Sequence, residues 1–473
     1  MLVILPLSGA MLCFLFPQRV KFLGLLTAFA IAASVIGLLL QVLDQGVQRY
    51  SVGGWGAPLG IEFYVDGLSL LMLLVTGLVG LAISVYSSSY FKADKAKHFW
   101  PLWMLLWAAL NALFLSADIF NLYVTLELMG LAAVALVALA GGADALAGAM
   151  RYLLVSLLGS LCYLLGVALL YHNFGSVDIE ILAQRLESSP AVWAAIGLIT
   201  AGLLLKTALF PLHFWLPPAH ASAPAPVSAL LSALVVKASF YILLRLWLEV
   251  FPVASASMEQ SLGQLLGLLG MAAVLWGGVQ ALRQTRLKLL VAYSTVAQIG
   301  YLFLAFPLSN IIGWKAASYM LLSHALAKTA MFLAAGNIMF YGGHDRIVDL
   351  DQVAQRLPLT LSAFGLAGIS LMGLPPSGGF IAKWLLLEAA IRSGQWWWGT
   401  MLIVGGLLTA AYVFKVIGYA FTSSDLSHEP RAVPKRMEWI ALTMALLAIA
   451  LGLLVPMPLA LIEIGSPFGE SMP

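Results

Sequence analysis

Ionisable residues stand inside several of the longest hydrophobic stretches of this chain. A charge at the centre of a bilayer costs roughly 2.5–3.5 kcal/mol on insertion scales, so such residues are seldom kept without a use. Lysine, glutamate and histidine can each carry a proton, and together they predict a buried polar route for protons. The candidates are Glu127, Lys206, Lys237, His324, Lys328 and Lys383.

Glu127 and Lys206 suggest the most specific chemistry. Glu127 lies within LYVTLELMGL and Lys206 within ITAGLLLKTALF. Burial favours the neutral amine of a lysine, whereas a nearby carboxylate favours the charged form. A Glu–Lys pair that forms and breaks would therefore act as a proton switch. The alternative for Glu127 is a structural hydrogen bond to a neighbouring helix.

The other candidates lie farther along the chain. Lys237, in SALVVKASFY, has no visible route to an aqueous surface. His324 and Lys328 are four residues apart and share a helix face, which favours a proton relay because histidine titrates near physiological pH. The alternative there is a satisfied core histidine. Lys383 follows a broken helix, and Glu388, five residues later, is poorly placed to pair with it.

His213 and His220 flank the prolines of PLHFWLPPAH. Their spacing could suggest a metal site, but no third or fourth ligand accompanies them, so we favour a structural or proton-uptake role. We therefore predict no metal and no cofactor, with His213, His220 and Glu388 as accessory residues. Arg245 and Lys415 lie near helix ends, where their long side chains can reach an interface.

Composition limits the class of protein. Of the 473 residues, 62% are hydrophobic and only 10% are charged, whereas soluble domains carry about 25% charged residues. This predicts a polytopic membrane protein. The small net charge of +3 gives no sign of a nucleic-acid partner. There is no dinucleotide-binding glycine motif, phosphate-binding loop, CxxC cluster or haem motif. Energy must then come from an ion gradient or a partner, and the chain itself shows no catalytic motif of an enzyme.

Apolar segments predict the fold class. We count about 14 of them, against about 20 residues needed to cross a bilayer as a helix. The first covers 2–16, and the twelfth is broken into 359–374 and 378–393. The short linkers favour helices over a β-barrel. The chain is therefore predicted to be an all-α membrane protein with about 14 transmembrane helices, and the segment 50–63 to form a small hairpin.

Basic residues predict the orientation. Fourteen of the 24 lysines and arginines, Lys288 among them, fall in loops after odd-numbered spans, four fall on the other side and six lie in spans. Cytoplasmic loops carry the excess of positive charge. Both termini are thus predicted to lie outside the cytoplasm, in a bacterial inner membrane. Asp66 and Asp118, near span ends, are predicted to be interfacial.

Two predicted spans contain helix breakers. They are 206-KTALFPLHFWLPPAH-220 and 373-GLPPSGGFIAK-383. Non-helical backbone at membrane depth survives only when packed in protein or lining a wet cavity, and paired breaks point to repeats and an ion route. We predict two inverted five-helix repeats with helices 7 and 12 broken. The predicted units are 1–98 with helices 1–3, 99–250 with helices 4–8, 262–421 with helices 9–13, and 437–473 with helix 14 and a tail.

These motifs resemble a known family. The stretches 206–246, 286-RLKLLVAYSTVAQIGY-301 and 373-GLPPSGGFIAKW-384 are similar to the signatures of the proton-translocating, antiporter-like subunits. Those subunits occur in respiratory complex I, membrane-bound hydrogenases and Mrp-type sodium/proton antiporters. The resemblance runs over nearly the whole chain and implies the 14-helix fold with two inverted repeats.

The resemblance also implies roles for the candidate residues. The family's path runs from a fifth-helix glutamate and its seventh-helix lysine partner, through an eighth-helix lysine and an eleventh-helix histidine and lysine, to a terminal twelfth-helix lysine. In this chain those positions are Glu127, Lys206, Lys237, His324, Lys328 and Lys383.

The chain departs from the family pattern at two motif positions. Pro218 stands where many members have aspartate, and Gln298 where many have histidine. The chain also stops soon after the last span, which favours a subunit of the shorter type. These features are most like the D-type subunit of an Mrp antiporter.

The function predicted from the sequence is therefore proton translocation by one subunit of a multisubunit inner-membrane complex. Its expected partners are other membrane subunits, the lipid bilayer, protons and, as an open alternative, sodium. Membership of an NADH:quinone oxidoreductase-type or hydrogenase complex stays open. So do a self-contained transporter for a small solute and a membrane partner in inorganic-carbon uptake.

Overall fold

The computed structural model describes residues 1–254, 256–423 and 431–466, and these are helical apart from one hairpin and the connecting loops. In chain order the elements are α1 (Ile4–Leu15), α2 (Val20–Gln45), β1 (Gln48–Ser51), β2 (Glu62–Val65), α3 (Gly67–Tyr90), α4 (Ala93–Leu115), α5 (Ile119–Ala138), α6 (Ala143–Phe174), α7 (Ile179–Arg185), α8 (Pro190–Thr207), α9 (Leu216–Ser222), α10 (Ala225–Leu230), α11 (Val236–Glu249), α12 (Phe251–Ala254), α13 (Ala256–Arg283), α14 (Leu287–Phe303), α15 (Ile311–Gly342), α16 (Val353–Arg356), α17 (Pro358–Met372), α18 (Gly378–Arg392), α19 (Trp397–Tyr419), α20 (Lys435–Ala450) and α21 (Pro456–Glu463).

The chain is a polytopic membrane protein whose first predicted apolar segment falls on α1 and whose broken twelfth segment falls on α17 and α18. Within the described residues, ten helical segments are long and apolar enough to cross a bilayer, and α1 and α17 are shorter apolar helices. Both predicted breaks are present. The first lies between α8 and α9, where Ala208 takes a φ of +59°, and the second between α17 and α18, where Gly373 takes a φ of +82°. The segment 225–249 is also irregular, because a π-helical turn at Leu231–Val235 separates α10 from α11.

Capping residues explain where several helices begin. At each of these positions a side-chain oxygen accepts a hydrogen bond from the backbone N–H three residues later, which satisfies one of the unpaired donors of the first turn. The residues are Asp66, Asp118, Asp178, Ser189, Asn310 and Ser377.

The predicted hairpin exists and marks one end of the helix bundle. Strands β1 and β2 pair antiparallel, with Gln48 opposite Val65. We name this end the hairpin side and the opposite end the basic side, because the latter holds the loops rich in lysine and arginine. Leu2 and Ile464, near the first and last residues that the structure describes, both lie on the hairpin side: Asn111, near the end of α4, donates to the Leu2 carbonyl, and Gly67 N–H donates to the Ile464 carbonyl.

The centre of the bundle is formed by the helices that carry the candidate lysines. The segment 225–249 is buried along its whole apolar window. Helix α15 is almost entirely enclosed, and packs against its neighbours α3, α10, α14, α17, α18 and α20. Lys237, His324 and Lys328 therefore lie in the interior of the protein rather than on its lipid-facing surface.

Candidate functional site

The Glu127–Lys206 pair predicted from the sequence is formed in the structure. Lys206 Nζ lies 2.9 Å from Glu127 Oε1 and 3.0 Å from Ser156 Oγ. The same Glu127 oxygen accepts a hydrogen bond from Ser160. The lysine side chain is 4% exposed, whereas that of Glu127 is 19% exposed. Helix α6 thus supplies two hydroxyls that hold an ion pair between α5 and α8.

Lys206 reaches this position because α8 ends beside it and packs closely against α6. A Cβ added to Gly202 would lie 2.3 Å from the Gly159 carbonyl oxygen, so the two backbones touch where these glycines meet. A lysine in the last turn of a helix also complements the negative end of the helix dipole. The indole of Trp215 donates to the Leu205 carbonyl at 2.9 Å and ties the segment after the break back to α8.

Lys237 is held by the backbone of the preceding π-helical turn. Its Nζ donates to the Ser232 carbonyl oxygen at 2.6 Å. A π-helical turn disrupts the regular hydrogen-bond ladder and is frequent at functional sites. The Ser232 hydroxyl pairs separately with Thr295 at 2.9 Å. The sequence predicted a buried Lys237 but gave no sign of this turn.

His324 and Lys328 lie at the centre of the bundle on α15. Lys328 Nζ donates to the Val291 carbonyl at 3.1 Å and to the Ser294 hydroxyl, both on α14. Both ring nitrogens of His324 are buried and have no hydrogen-bond partner within the described part of the chain. The relay role of His324 stays a prediction.

Lys383 lies at the second break. Its Nζ donates to the carbonyls of Leu371 and Met372, at 2.8 and 3.1 Å, where α17 ends. The ammonium also lies 4.3 Å from the centre of the Tyr301 ring, a cation–π distance. Gln298, the residue that departs from the family pattern, donates to the same Leu371 carbonyl at 3.2 Å.

The buried lysines form one electrostatically connected group around His324. Lys237, Lys328 and Lys383 all lie within electrostatic range of its ring. Lys237 also acts on Lys328. Of the four candidate lysines, which are these three and Lys206, only Lys206 makes a salt bridge to a carboxylate within the described residues. The other three are held by carbonyl oxygens, a hydroxyl and an aromatic ring.

The two accessory histidines are buried against aromatic rings. His213 stacks on Phe210 with ring centres 5.5 Å apart and meets Tyr293 edge-on. His220 stacks on Phe332 at 4.7 Å, and neither of its ring nitrogens has a hydrogen-bond partner among the described residues. His220 is the more enclosed of the two.

Glu388 is placed away from Lys383. It forms a salt bridge of 2.7 Å with Arg392, one turn later, and both side chains are substantially exposed. In the described residues, no group of three or more histidine, cysteine, aspartate or glutamate side chains could hold a metal ion.

One buried lysine was missed because the sequence places it in a basic loop. Lys288 is the second residue of α14 and is 1% exposed. It donates to the carbonyl of Ala221, in the last turn of α9, and to that of Ala223, on the connection between α9 and α10. The adjacent RLK triplet suggested a solvated loop, but only Arg286 is exposed there; it pairs with Asp345 at 3.0 Å.

The expectation that Arg245 and Asp66 reach an interface is wrong. Arg245 is 2% exposed and forms salt bridges of 2.8 Å with Asp66 and 2.6 Å with Glu249. Tyr64 packs against both Arg49 and Arg245 at cation–π distances, and burial raises the pKa of its phenol to about 12. This cluster clamps the hairpin to α3 and α11, because each charge finds a partner inside the fold.

Asp118 and Lys415 are the two other charged residues that were predicted to lie near span ends. Asp118 is buried rather than interfacial, because it caps α5. Lys415 reaches the loop after α13 as expected, where its Nζ donates to the carbonyls of Leu282 and Gln284 at 2.9 and 2.8 Å.

Comparison with known protein families decides the relationship. Residues 116–409 match the family model described as NADH:quinone oxidoreductase/Mrp antiporter, transmembrane. The chain belongs to this family. Residues 54–99 additionally match the model for the N-terminus of chain 5 of NADH-ubiquinone oxidoreductase (complex I). All six candidate proton-carrying residues lie inside the first match.

Relatives within the family carry two kinds of name. The N-type subunit of NADH-quinone oxidoreductase from Desulforudis audaxviator is 39% identical over 84% of this chain and 80% of its own length. The D-type subunit of the Na(+)/H(+) antiporter from Bacillus subtilis is 28% identical over 89% of this chain and 86% of its own length. Among solved structures, a chain of the Mrp complex from Dietzia sp. matches with a TM-score of 0.90 and 28% identity, over 98% of this chain and 95% of that one.

Proposed function

We propose that this chain is a proton-translocating subunit of a multisubunit membrane complex. The observation that carries the proposal is the Glu127–Lys206 ion pair between α5 and α8, next to a broken helix. Separating the two groups would leave the buried lysine without its counter-charge and favour release of its proton. Restoring the contact would favour uptake. The pair is thus a switch that a conformational change can operate.

The remaining candidates extend this switch into a path. Protons taken up near Lys206 and Lys237 would cross the His324–Lys328 region and leave at Lys383. A neutral amine or imidazole in this group can accept a proton only if its neighbours give theirs up, because like charges close together in a buried site repel. Proton occupancy of one lysine would therefore control its neighbours.

The finer architecture belongs to the same proposal. We assign 14 transmembrane helices, with inverted repeats over predicted spans 4–8 and 9–13 and the four units predicted from the sequence. Two comparable breaks support this: each places a lysine beside the C-terminal end of a half-helix. Leu2 and Ile464 both lie on the hairpin side, opposite the loops rich in lysine and arginine, which supports an inner-membrane protein whose termini face away from the cytoplasm.

Partners and the transported ions follow from the relatives' names and from the chemistry of the path. Other membrane subunits are needed to couple proton movement to sodium, or to electron transfer from NADH to a quinone. The alternatives are a self-contained solute transporter and a membrane partner in inorganic-carbon uptake. Gentle purification through a tag on this chain, followed by mass spectrometry, separates these classes. Small antiporter subunits select an antiporter, redox subunits a redox-driven pump, a single soluble-facing partner the carbon-uptake complex, and a chain that purifies alone the self-contained transporter.

The decisive test is transport by the purified complex in liposomes. Proton flux would be driven by an imposed sodium gradient and, in a second series, by a potassium diffusion potential. Lys206→Met is expected to abolish the flux without preventing assembly. Lys315→Met is the matched control, because Lys315 forms an exposed salt bridge with Glu463 on the hairpin side. Unchanged flux in an assembled Lys206→Met complex would refute the proposal.

A further inference from the structure

A polar cavity opens at the basic side of the bundle, between the start of α6, the α9 segment and the start of α14. Its volume is about 350 Å³. Its walls include the charged residues Asp144, Arg151 and Arg286, together with Pro218, one of the two departures from the family pattern. A cavity of this size and polarity can hold several water molecules.

Lys288 lies directly behind the wall of this cavity. Ala221 lines the cavity, and its carbonyl accepts a hydrogen bond from Lys288 Nζ at 3.4 Å. The Ala223 carbonyl is the second acceptor. A lysine in the first turn of a helix opposes the helix dipole. Lys288 is nevertheless buried there. In the described residues its hydrogen-bond acceptors are backbone carbonyls, and the Asp345 carboxylate within its electrostatic range is already paired with Arg286. A buried ammonium without a carboxylate of its own is costly, which favours a functional role.

His220 connects this lysine to the centre of the protein. Lys288 donates to the carbonyl of Ala221, the residue after His220. The His220 ring stacks on Phe332, one turn from Lys328 on α15, with ring centres 4.7 Å apart. Both lysines also lie within electrostatic range of the His220 ring. Both of its ring nitrogens are buried and without a hydrogen-bond partner in the described structure. An imidazole in this state can accept a proton at one nitrogen and release one from the other.

We infer that Lys288 and His220 form a proton-uptake relay from the basic-side cavity to Lys328. Lys288 gives a proton to His220, which becomes an imidazolium and passes a proton to the neutral amine of Lys328. Lys288 regains its proton from water in the cavity. The residues are in electrostatic range rather than hydrogen-bonded in this conformation, so each transfer uses a side-chain rotation or a bridging water.

This relay rests on the proposed function but assigns a different route. Protons reach the central group without passing through Glu127 and Lys206. The Glu127–Lys206 pair would then control the charge state of the path, whereas Lys288 and His220 would supply its protons. The relay can therefore fail while the proposed function stands.

Substitutions at Lys288 separate a relay from a structural role. Lys288→Arg keeps the charge and the hydrogen bonds to carbonyls, but arginine does not release its proton. We expect Lys288→Arg, Lys288→Met and His220→Gln each to lower proton flux by about tenfold or more, since positioned proton-transfer groups contribute roughly 10²–10⁴-fold. Lys415→Met is the matched control, because Lys415 also donates to two backbone carbonyls on the basic side. It should keep the wild-type flux.

The outcomes are distinguishable. Wild-type flux in an assembled Lys288→Arg complex would overturn the relay and leave Lys288 a structural role. If Lys288→Met does not assemble, Lys288→Arg and His220→Gln still decide. Loss of flux in Lys206→Met together with normal flux in all variants of Lys288 and His220 would refute the relay alone. A wild-type complex that moves no protons would refute the proposed function itself.

Chemical blocking of the cavity gives a second test. In a background with Cys13 and Cys162 replaced by alanine, Ala221→Cys would be labelled with a membrane-impermeant thiosulfonate reagent. Labelling should lower proton flux by about tenfold or more, on the same expectation for a blocked proton-transfer group. Thr285→Cys, exposed on the same side, is the labelling control and should keep its flux. Complete modification of Ala221→Cys with unchanged flux would contradict the relay.

Discussion

Lys383 Nζ lies 2.8 Å from the carbonyl oxygen of Leu371, at the end of the preceding half-helix. The break between α17 and α18 therefore supplies the acceptors that a buried ammonium needs. At the other break, Lys206 stands in the last turn of α8 and pairs with Glu127. In both cases an interrupted helix offers unpaired carbonyl groups and a negative dipole end close to a buried lysine.

Removing the charge of Lys383 tests its place at the end of the path. Lys383→Met should lower proton flux in reconstituted complexes by about tenfold or more, because the last proton acceptor is lost. Lys315→Met, which breaks only an exposed salt bridge, should leave the flux near wild type. Equal flux in the Lys383→Met and Lys315→Met complexes would remove Lys383 from the path.

The Glu127–Lys206 pair should behave as one unit. Glu127→Gln and Lys206→Met should each lower proton flux strongly, and the double variant should be little worse than either single one, because one interaction is being removed. A double-mutant cycle on flux measures this coupling. Additive losses would mean that the two side chains act separately, despite their 2.9 Å contact.

Replacing Lys237 tests whether its amine carries protons along the path. Lys237→Met leaves the Ser232 carbonyl without its donor, which costs about 1–3 kcal/mol of stability. The complex should still assemble, but its proton flux should fall by about tenfold or more. Flux is measured in liposomes and assembly by gel filtration. Full flux in the assembled variant would show that the Lys237 amine is not a carrier.

The Arg245 cluster should affect stability rather than transport. Arg245→Met leaves Asp66 buried and unpaired, and breaking a buried ion pair costs about 3–5 kcal/mol. The thermal unfolding midpoint of the purified complex should fall by several degrees, whereas flux per assembled complex should stay near wild type. Adding Asp66→Asn should recover part of the lost stability, because the stranded carboxylate is removed. A selective loss of flux at normal stability would instead place Arg245 on the ion path.

The sequence by itself predicted the helical membrane architecture, the two breaks and the burial of Glu127 and Lys206, whereas the pairing of these two residues was implied by the family resemblance. The architecture, the breaks and the burial follow from local rules. Apolar runs of sufficient length are expected to be helical in a bilayer, and clusters of proline and glycine mark the breaks, although the single Pro101 is accommodated inside α4. A charge inside such a run is visible in the sequence because its burial is nearly certain and its cost is high.

Only the tertiary structure decided which polar groups meet and which charges near helix ends are buried. Lys288 stands beside Arg286 in a basic triplet, yet one side chain is enclosed and the other exposed. Arg245 was expected at an interface and instead forms two internal salt bridges. Likewise, the π-helical turn that frees the Ser232 carbonyl for Lys237 has no sequence signature. Contacts of this kind join residues far apart in the chain or depend on a shift in backbone hydrogen bonding, so they are settled by how the helices pack together.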